Sequence, residues 1–477
     1  MGVNAWSARL FASLALLTPH CAPAHHATDF DGLRDRIETI REDTAVPGAS
    51  LVIVDREGIV WAAEFGVADV ETRAPVTPDT VFRIGSVTKI FTAAALVQLD
   101  RREDFSLDDA VSDYVPPGMF FNRWEEERPL TVAQLLEHTS GFRDWTKAEF
   151  DYNEEVGLEE GLAYSPRART SYWEPGLHSV YSNANYGLAG LVLERVSGQD
   201  YEDALQQRLF APLEMRSATS LQGRTIGLAT GYDRDGLTPI PYWHMIQRPA
   251  AAINMRPREM AALVSMLLNE GKYKQQTVLT PDELARMETP RTSLAARNGL
   301  RFGYGLGMYA KYHNGFLFMG HGGDGDGYLS RFGYCRELGV GYFVTFNSAN
   351  QRALGRFSRT IESALTREHQ APAPPQRAET GTEQLDAYTG RYALAAWRFY
   401  WQSGTTRTRR TLTVRLSQDG RLFTLETGGR DTELIAVTAQ TFRRIGESDA
   451  TSGFFRENGR LYFQEEDNWV RIDDAER

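Results

Sequence analysis

The run Ala371-Pro372-Ala373-Pro374-Pro375 constrains this 477-residue chain more than any other stretch. Proline fixes its own φ, donates no backbone hydrogen bond and biases the preceding residue away from helix, so neither a helix nor an interior strand can run through it. Residues 369–384 therefore read as a linker. The two sides of it are patterned differently. Before it, helical and strand periods are mixed. Phe30, Leu33, Ile37 and Ile40 give an amphipathic helix over 30–42, and Ser50–Val54 and Ile59–Phe65 give a hairpin across Asp55-Arg56-Glu57-Gly58. Further helices are expected over Ile90–Asp100, Val132–His138, Tyr186–Val196 and Arg258–Asn269, with strand character over 328–348 and a closing helix through Leu354, Phe357, Ile361 and Leu365. This makes residues 25–368 one α/β unit. After the linker, residues 385–477 read as about eight short strands separated by turns such as Gln418-Asp419-Gly420 and Glu457-Asn458-Gly459, the pattern of a small antiparallel barrel.

Charge narrows the function classes. There are 52 basic against 63 acidic residues, a net charge of −11, so no basic excess exists to neutralise nucleic-acid phosphates or to anchor a polybasic segment on a membrane. No apolar run reaches the roughly 18 residues of a membrane span. Residues 1–24 read as a secretory signal peptide: Arg9, the apolar run Leu10–Leu17, then the small-residue site Ala22-Pro23-Ala24. A periplasmic or secreted protein is expected. Cleavage there removes Cys21 and leaves Cys335 alone, a small core residue in a strand rather than a nucleophile.

Chemistry concentrates in three places. Ser86-Val87-Thr88-Lys89 opens an apolar run, and a Ser and a Lys three apart on a helix share a face. A serine hydroxyl is a weak nucleophile until a base takes its proton, and lysine is that base only when burial lowers its pKa. Only five of the 52 basic residues are lysines, and one stands where a tunable base is needed, a task arginine cannot perform. Tyr181-Ser182-Asn183 follows: a tyrosinate beside a lysine can act as base or proton relay, and an Asn side chain can hold a substrate amide. His321-Gly322-Gly323 comes after the strand Phe316–Met319. Its glycines let a substrate lie flat against a strand edge, and its imidazole can donate or relay a proton.

These motifs, with the supporting segments Leu135–Gly141 and Asn185–Gly190, make residues 30–367 resemble the serine β-lactamase and penicillin-binding-protein-like superfamily, its class C-related branch in particular. The resemblance implies an antiparallel sheet flanked by helices plus a helical subdomain. It implies Ser86 as the acylated nucleophile, Lys89 and Tyr181 sharing the proton work, Asn183 contacting substrate, and backbone N–H groups of Ser86 and Asp324 forming an oxyanion hole. His138 is implied to be structural, and no metal or organic cofactor is implied. His321-Gly322-Gly323 stands where β-lactamases carry Lys-Thr-Gly, and a neutral histidine holds an antibiotic's carboxylate less well. The branch of D-aminopeptidases and esterases fits better, and some of its members carry a lipocalin-like barrel after the hydrolase. The expected activity is hydrolysis of a small amide, a D-amino-acid peptide or an ester. The alternatives are a β-lactamase, a D-Ala-D-Ala carboxypeptidase, or a peptidoglycan-fragment sensor without turnover.

Other patterns are decoys. Gly305-Leu306-Gly307-Met308-Tyr309-Ala310 matches a dinucleotide fingerprint, but no hydrophobic strand precedes it and a hairpin follows. Asp324-Gly325-Asp326-Gly327 lacks the spacing and closing glutamate of a calcium loop. Arg407, Arg409 and Arg410 read as a solvated hairpin loop. The aromatics Trp145, Phe150, Tyr152, Tyr164, Tyr172, Trp173, Tyr242 and Trp243 are either core or cleft wall. The barrel either holds an apolar ligand or, more in keeping with its kind, contacts the hydrolase unit and trims access to the cleft.

Overall fold

The computed structural model describes residues 28–399 and 410–472; the signal-peptide reading, Arg407 and Arg409 lie outside them. Six strands form one antiparallel sheet: β1 (Gly48–Asp55), β2 (Ile59–Gly66), β3 (Tyr309–His313), β4 (Phe316–Asp324), β5 (Leu329–Cys335) and β6 (Val340–Phe346), in the order β2-β1-β6-β5-β4-β3. The first hairpin of the chain therefore pairs with the last strand of this sheet, Leu51 opposite Val344. Seven consecutive buried residues in β1 reflect a sheet covered on both faces.

On one face lie α1 (Phe30–Asp43) and the closing helix, α5 (Gln351–Thr366), which bury Leu33, Ile37, Phe357 and Ile361 against Leu51, Val344 and Phe346. The other face carries α2 (Thr88–Leu99), α3 (Asn183–Ser197) and α4 (Met260–Leu268), and the short helices between them, such as Val132–Leu136, Leu158–Tyr164 and Tyr201–Leu205, complete the helical part. Eleven of the twelve residues of α2 are buried, so it is apolar all round and sits in the middle of the molecule. Cys335 is buried beneath α1 and α5, and burial pushes its thiol up to about 11, which leaves it unreactive.

The second unit is a closed barrel of eight antiparallel strands taken in chain order: β7 (Gly390–Leu394), β8 (Thr411–Leu416), β9 (Leu422–Glu426), β10 (Thr432–Ala436), β11 (Thr441–Arg443), β12 (Ser452–Glu457), β13 (Arg460–Gln464) and β14 (Asn468–Arg471). Its interior is filled by Tyr388, Tyr392, Phe442, Phe454, Phe463 and Trp469, with Phe454 and Phe463 ring centroids 4.6 Å apart. Beside that packing a cavity of about 630 Å³ opens, lined by Leu385, Leu422, Leu434, Ala436 and Phe442 of the barrel core together with residues 377–381. Arg410, expected in a solvated loop, pairs with Glu426 and Asp467 at the start of β8.

The proline-rich stretch is tied down at both ends. Ala371 packs beside the α5 core, Pro375 accepts a bond from Arg443, and Ala378 N–H donates to Ala436 of β10. The two units also share a surface. Leu294, Ala295 and Leu300 pack against Phe455, Tyr462 and Val470 of the barrel. Gln464 accepts from Ala295 N–H at 2.7 Å and donates to Leu177 O at 3.0 Å, while Asn468 donates to Ser179 O at 2.8 Å. No helix among the described residues is long and apolar enough to cross a membrane.

Candidate active site

Ser86 lies in a single 3-10 turn, Gly85–Val87, immediately before α2. That turn is pinned from three sides. Ile84 N–H donates to Ile253 O, Ser330 Oγ of β5 donates to Ile84 O at 2.7 Å, and Thr88 Oγ1 accepts from Ile253 N–H. Gly85 has φ +54°, and a β carbon there would come within 2.5 Å of Asp324 N, so only glycine lets β4 approach the Ser86 turn this closely.

One turn on, Lys89 is fully buried. Its Nζ donates to Asn183 Oδ1 and to Ala250 O, both at 2.7 Å, and lies 3.2 Å from Ser86 Oγ. The rings of Tyr181 and Tyr186 flank it with centroids at 4.8 and 5.3 Å. Burial away from water holds its pKa well below the usual lysine value; the Asp144 carboxylate opposes that shift and the Arg398 guanidinium adds to it. Tyr181 is also buried, which raises its pKa and keeps it a neutral phenol. The tyrosinate that the sequence allows is therefore not the resting form.

Asn183 was expected just ahead of a helix starting at Tyr186; it is instead the first residue of α3, which begins three residues earlier. The stretch Asn183-Ala184-Asn185 lacks the apolar periodicity that marks a helix in sequence. Its initiation comes from a distant residue: Asp144 accepts from Asn183 N–H at 2.8 Å, a carboxylate at a helix N-terminus. Asp144 is fully buried and also takes both Asn183 Nδ2 bonds, at 3.1 and 3.2 Å. His138 is buried under the site, its ring 4.4 Å from Tyr181 and 4.5 Å from Tyr304, with Nδ1 accepting from Asn185 Nδ2. This is a packing role.

The pairing of β3 with β4 ends at Tyr309 opposite Gly320, so His321–Asp324 present an edge free of strand pairing to the cleft. The two glycines there do different things. A β carbon on Gly323 would meet Ile84 O at 2.0 Å and Ser330 Oγ at 2.2 Å, so Gly323 serves the fit of β4 against the nucleophile turn rather than substrate access. Gly322 faces the cleft, where an added β carbon would meet Arg331 and Tyr309 at 3.3 and 3.5 Å. His321 donates from Nδ1 to Gly322 O at 2.5 Å and accepts at Nε2 from the Tyr304 hydroxyl at 2.8 Å. Burial, helped by Lys89, pushes its pKa down to about 3, so it is neutral and cannot pair with an anion as a cation would.

Ser86, Tyr181, Asn183, His321, Gly322, Gly323 and Asp324 all line one cleft of about 950 Å³, with Lys89 at its base. Trp145, Phe150 and Trp243 form an aromatic wall in it, their centroids 4.9 to 5.9 Å apart. Other aromatics go elsewhere: Tyr152 packs at a tilt against Tyr164, and Trp173 packs edge-on against Trp397 of the barrel unit. The glycines of the dinucleotide-like run are packing residues, Gly305 against Met287 O and Gly307 against Lys89 O.

Two arginines of the cleft and one carboxylate buried behind it carry no clear signal in the sequence. Asp144 looks like any loop acid. Arg331 on β5 enters opposite Gly322, with no acceptor for its buried Nε among the described residues. Arg398 comes from the barrel connection after β7 and lines the cleft with Phe399. Its one sequence signal is an arginine flanked by Trp397 and Phe399 in a connection too long for a tight hairpin.

A family model described as Beta-lactamase matches residues 33–365. A D-aminopeptidase of Brucella anthropi is 27% identical over 329 residues, 67% of this chain and 59% of that one. Protein flp of Staphylococcus aureus strain MW2 is 30% identical over 253 residues, 50% of each, so this chain spans about half the length of that relative. The solved octameric penicillin-binding protein homologue from Pyrococcus abyssi matches over 93% of this chain and 100% of its own, with a TM-score of 0.60 and 23% identity, a likeness of fold. The family match runs from within α1 to the last turn of α5 and so takes in the whole sheet and every helix that meets Ser86; the chain belongs to the beta-lactamase family.

Proposed function

We propose that this protein is a serine hydrolase that forms an acyl-enzyme on Ser86 and releases it to water, acting on small amides, D-amino-acid peptides or esters. The observation that carries this is the disposition of hydrogen bonds around Lys89. A neutral amine has two N–H bonds and one lone pair. Asn183 Oδ1 and Ala250 O can only accept, so they take the two N–H bonds. The lone pair is left for the third neighbour, the Ser86 hydroxyl, 3.2 Å away. Lys89 then takes the Ser86 proton as Oγ attacks the substrate carbonyl, and the neutral Tyr181 phenol hands a proton to the leaving group and recovers one from Lys89. Backbone N–H groups of Ser86 and Asp324 receive the oxyanion.

The aromatic wall of Trp145, Phe150 and Trp243 favours an apolar side chain on the substrate. With His321 neutral, Arg331 is the cation on that side of the cleft able to meet a substrate carboxylate. This supports a D-peptide over a β-lactam, whose carboxylate the family meets with a lysine at the His321 position. Export belongs to the same reading, and N-terminal sequencing of the secreted material checks it at Ala24. The activity test is initial rates on a D-alanyl anilide, an aryl butyrate and a chromogenic cephalosporin, with Ser86→Ala as control. Serine-dependent turnover of the anilide or the ester is expected. Cephalosporin as the best substrate would overturn the reading of His321, and rapid acylation without release would make the protein a sensor.

A further inference from the structure

The barrel reaches into the active site with a charge. Arg398 Nε and its terminal guanidinium nitrogen both lie 2.6 Å from Asp144 Oδ2, and Asp144 N–H donates to Arg398 O at 2.8 Å. From Asp144 the chain of hydrogen bonds continues through Asn183 to Lys89 Nζ. We propose that Arg398 is a positioning residue for Lys89, acting through Asp144 and Asn183, so that the hydrolase unit is fully competent only with the barrel docked. This rests on the reading of Lys89 as the base.

The argument is electrostatic and geometric. Asp144 is a fully buried carboxylate, and the cation paired with it among the described residues is Arg398. A buried charge stripped of its partner must find another or take up a proton. The nearest candidate is Lys89, one amide away. The other titratable groups around Lys89 carry no charge: burial holds His138 and His321 neutral and keeps Tyr181, Tyr186 and Tyr304 as phenols. Asp144 and Arg398 are thus the two charges that act on it, with opposite sign. Removing Arg398 leaves the Asp144 field unbalanced, which favours the protonated, inactive form of Lys89.

The docking contacts act in the same direction. Gln464 and Asn468 hold the carbonyls of Leu177 and Ser179, the segment that leads into Tyr181 and Asn183. Arg398 lies outside the aromatic core of the barrel, so replacing it does not empty that core.

The test uses the full chain and the pH dependence of kcat/KM. Activity needs neutral Lys89, so it falls on the acid side as pH drops through the Lys89 pKa. Arg398→Gln is expected to move that acid limb to higher pH by about one unit, which is about a tenfold loss on the limb and near recovery on the alkaline side. Arg398→Lys, which keeps the charge, should sit closer to wild type, and the Arg398→Gln/Asp144→Asn double variant should return the limb toward its original position. Gln464→Ala with Asn468→Ala should shift it in the same direction by less, without touching the cleft. A raised KM in Arg398→Gln with the limb unmoved would overturn the proposal and make Arg398 a substrate contact only. Turnover surviving in Ser86→Ala would instead overturn the underlying reading of the site.

Discussion

The two units of this chain handle polarity in opposite ways. The heart of the beta-lactamase-family unit is polar: Lys89, Asn183, Asp144, His138 and His321 are each at most 3% exposed, and of their side-chain polar atoms only Nε2 of His138 lacks a partner among the described residues. The heart of the barrel is aromatic, with Tyr392, Phe442, Phe454, Phe463 and Trp469 packed together in it. Burying polar groups costs stability unless they are paired, and it also moves pKa values by the amounts chemistry needs. The first unit accepts that cost to lower Lys89. The second packs apolar rings inside and meets the first through Arg398 and Phe399, which line the cleft, and through Gln464 and Asn468, which bond Leu177 O and Ser179 O.

The sharpest way to test this contrast is to remove one atom from the polar heart. Ser86→Ala should abolish turnover, a loss of about a thousandfold or more, with the melting temperature scarcely changed, since the hydroxyl lines a cleft and fills no core. Next comes the barrel's interior. Phe463→Ala should cost the barrel about 3–5 kcal/mol, read by chemical denaturation. Turnover should then fall only to the level of Arg398→Gln, because the nucleophile and base belong to the other unit. Complete loss of turnover in a variant whose sheet unit stays folded would mean that the barrel holds part of the chemistry itself.

The two adjacent glycines make a finer comparison. Gly323→Ala forces a β carbon into Ile84 O and Ser330 Oγ and should destabilise the fold by about 1–3 kcal/mol while disturbing the Ser86 turn. Gly322→Ala meets chiefly the end of Arg331 and should be far milder in a thermal melt. Equal effects would show that the crowding at Ile84 relaxes freely.

The smallest effect concerns acid. His178 is pushed down to about 4 and His321 to about 3 by burial, against about 6.5 for a free imidazole. Between those values and pH 6.5 the unfolded chain binds more protons than the folded one, so stability falls as pH falls, by up to about 1.4 kcal/mol per pH unit for each ring. His178→Gln should flatten that slope in a series of melts from pH 6.5 to pH 4.5, and an unchanged slope would place the acid sensitivity elsewhere.

Much of the molecule is legible in local pattern. The helix through Phe30, Leu33, Ile37 and Ile40, the hairpin around Glu57, and the barrel strands all stand within a few residues of where periodicity puts them, because each is written in consecutive side chains that share one buried face. Ser86 and Lys89 are legible for the same reason, being one helical turn apart. Other features were settled only when distant segments met. The start of α3 depends on Asp144, 39 residues earlier in the chain. The division of labour between Gly322 and Gly323 depends on which of them faces Ile84. Arg398 reaches Asp144 across 254 residues, and no local pattern encodes a contact of that separation. The sequence by itself determined the elements and the juxtaposition of Ser86 with Lys89, since both are short-range. Only the tertiary structure decided the electrostatic setting of that pair, because burial and charge balance are properties of the assembled interior.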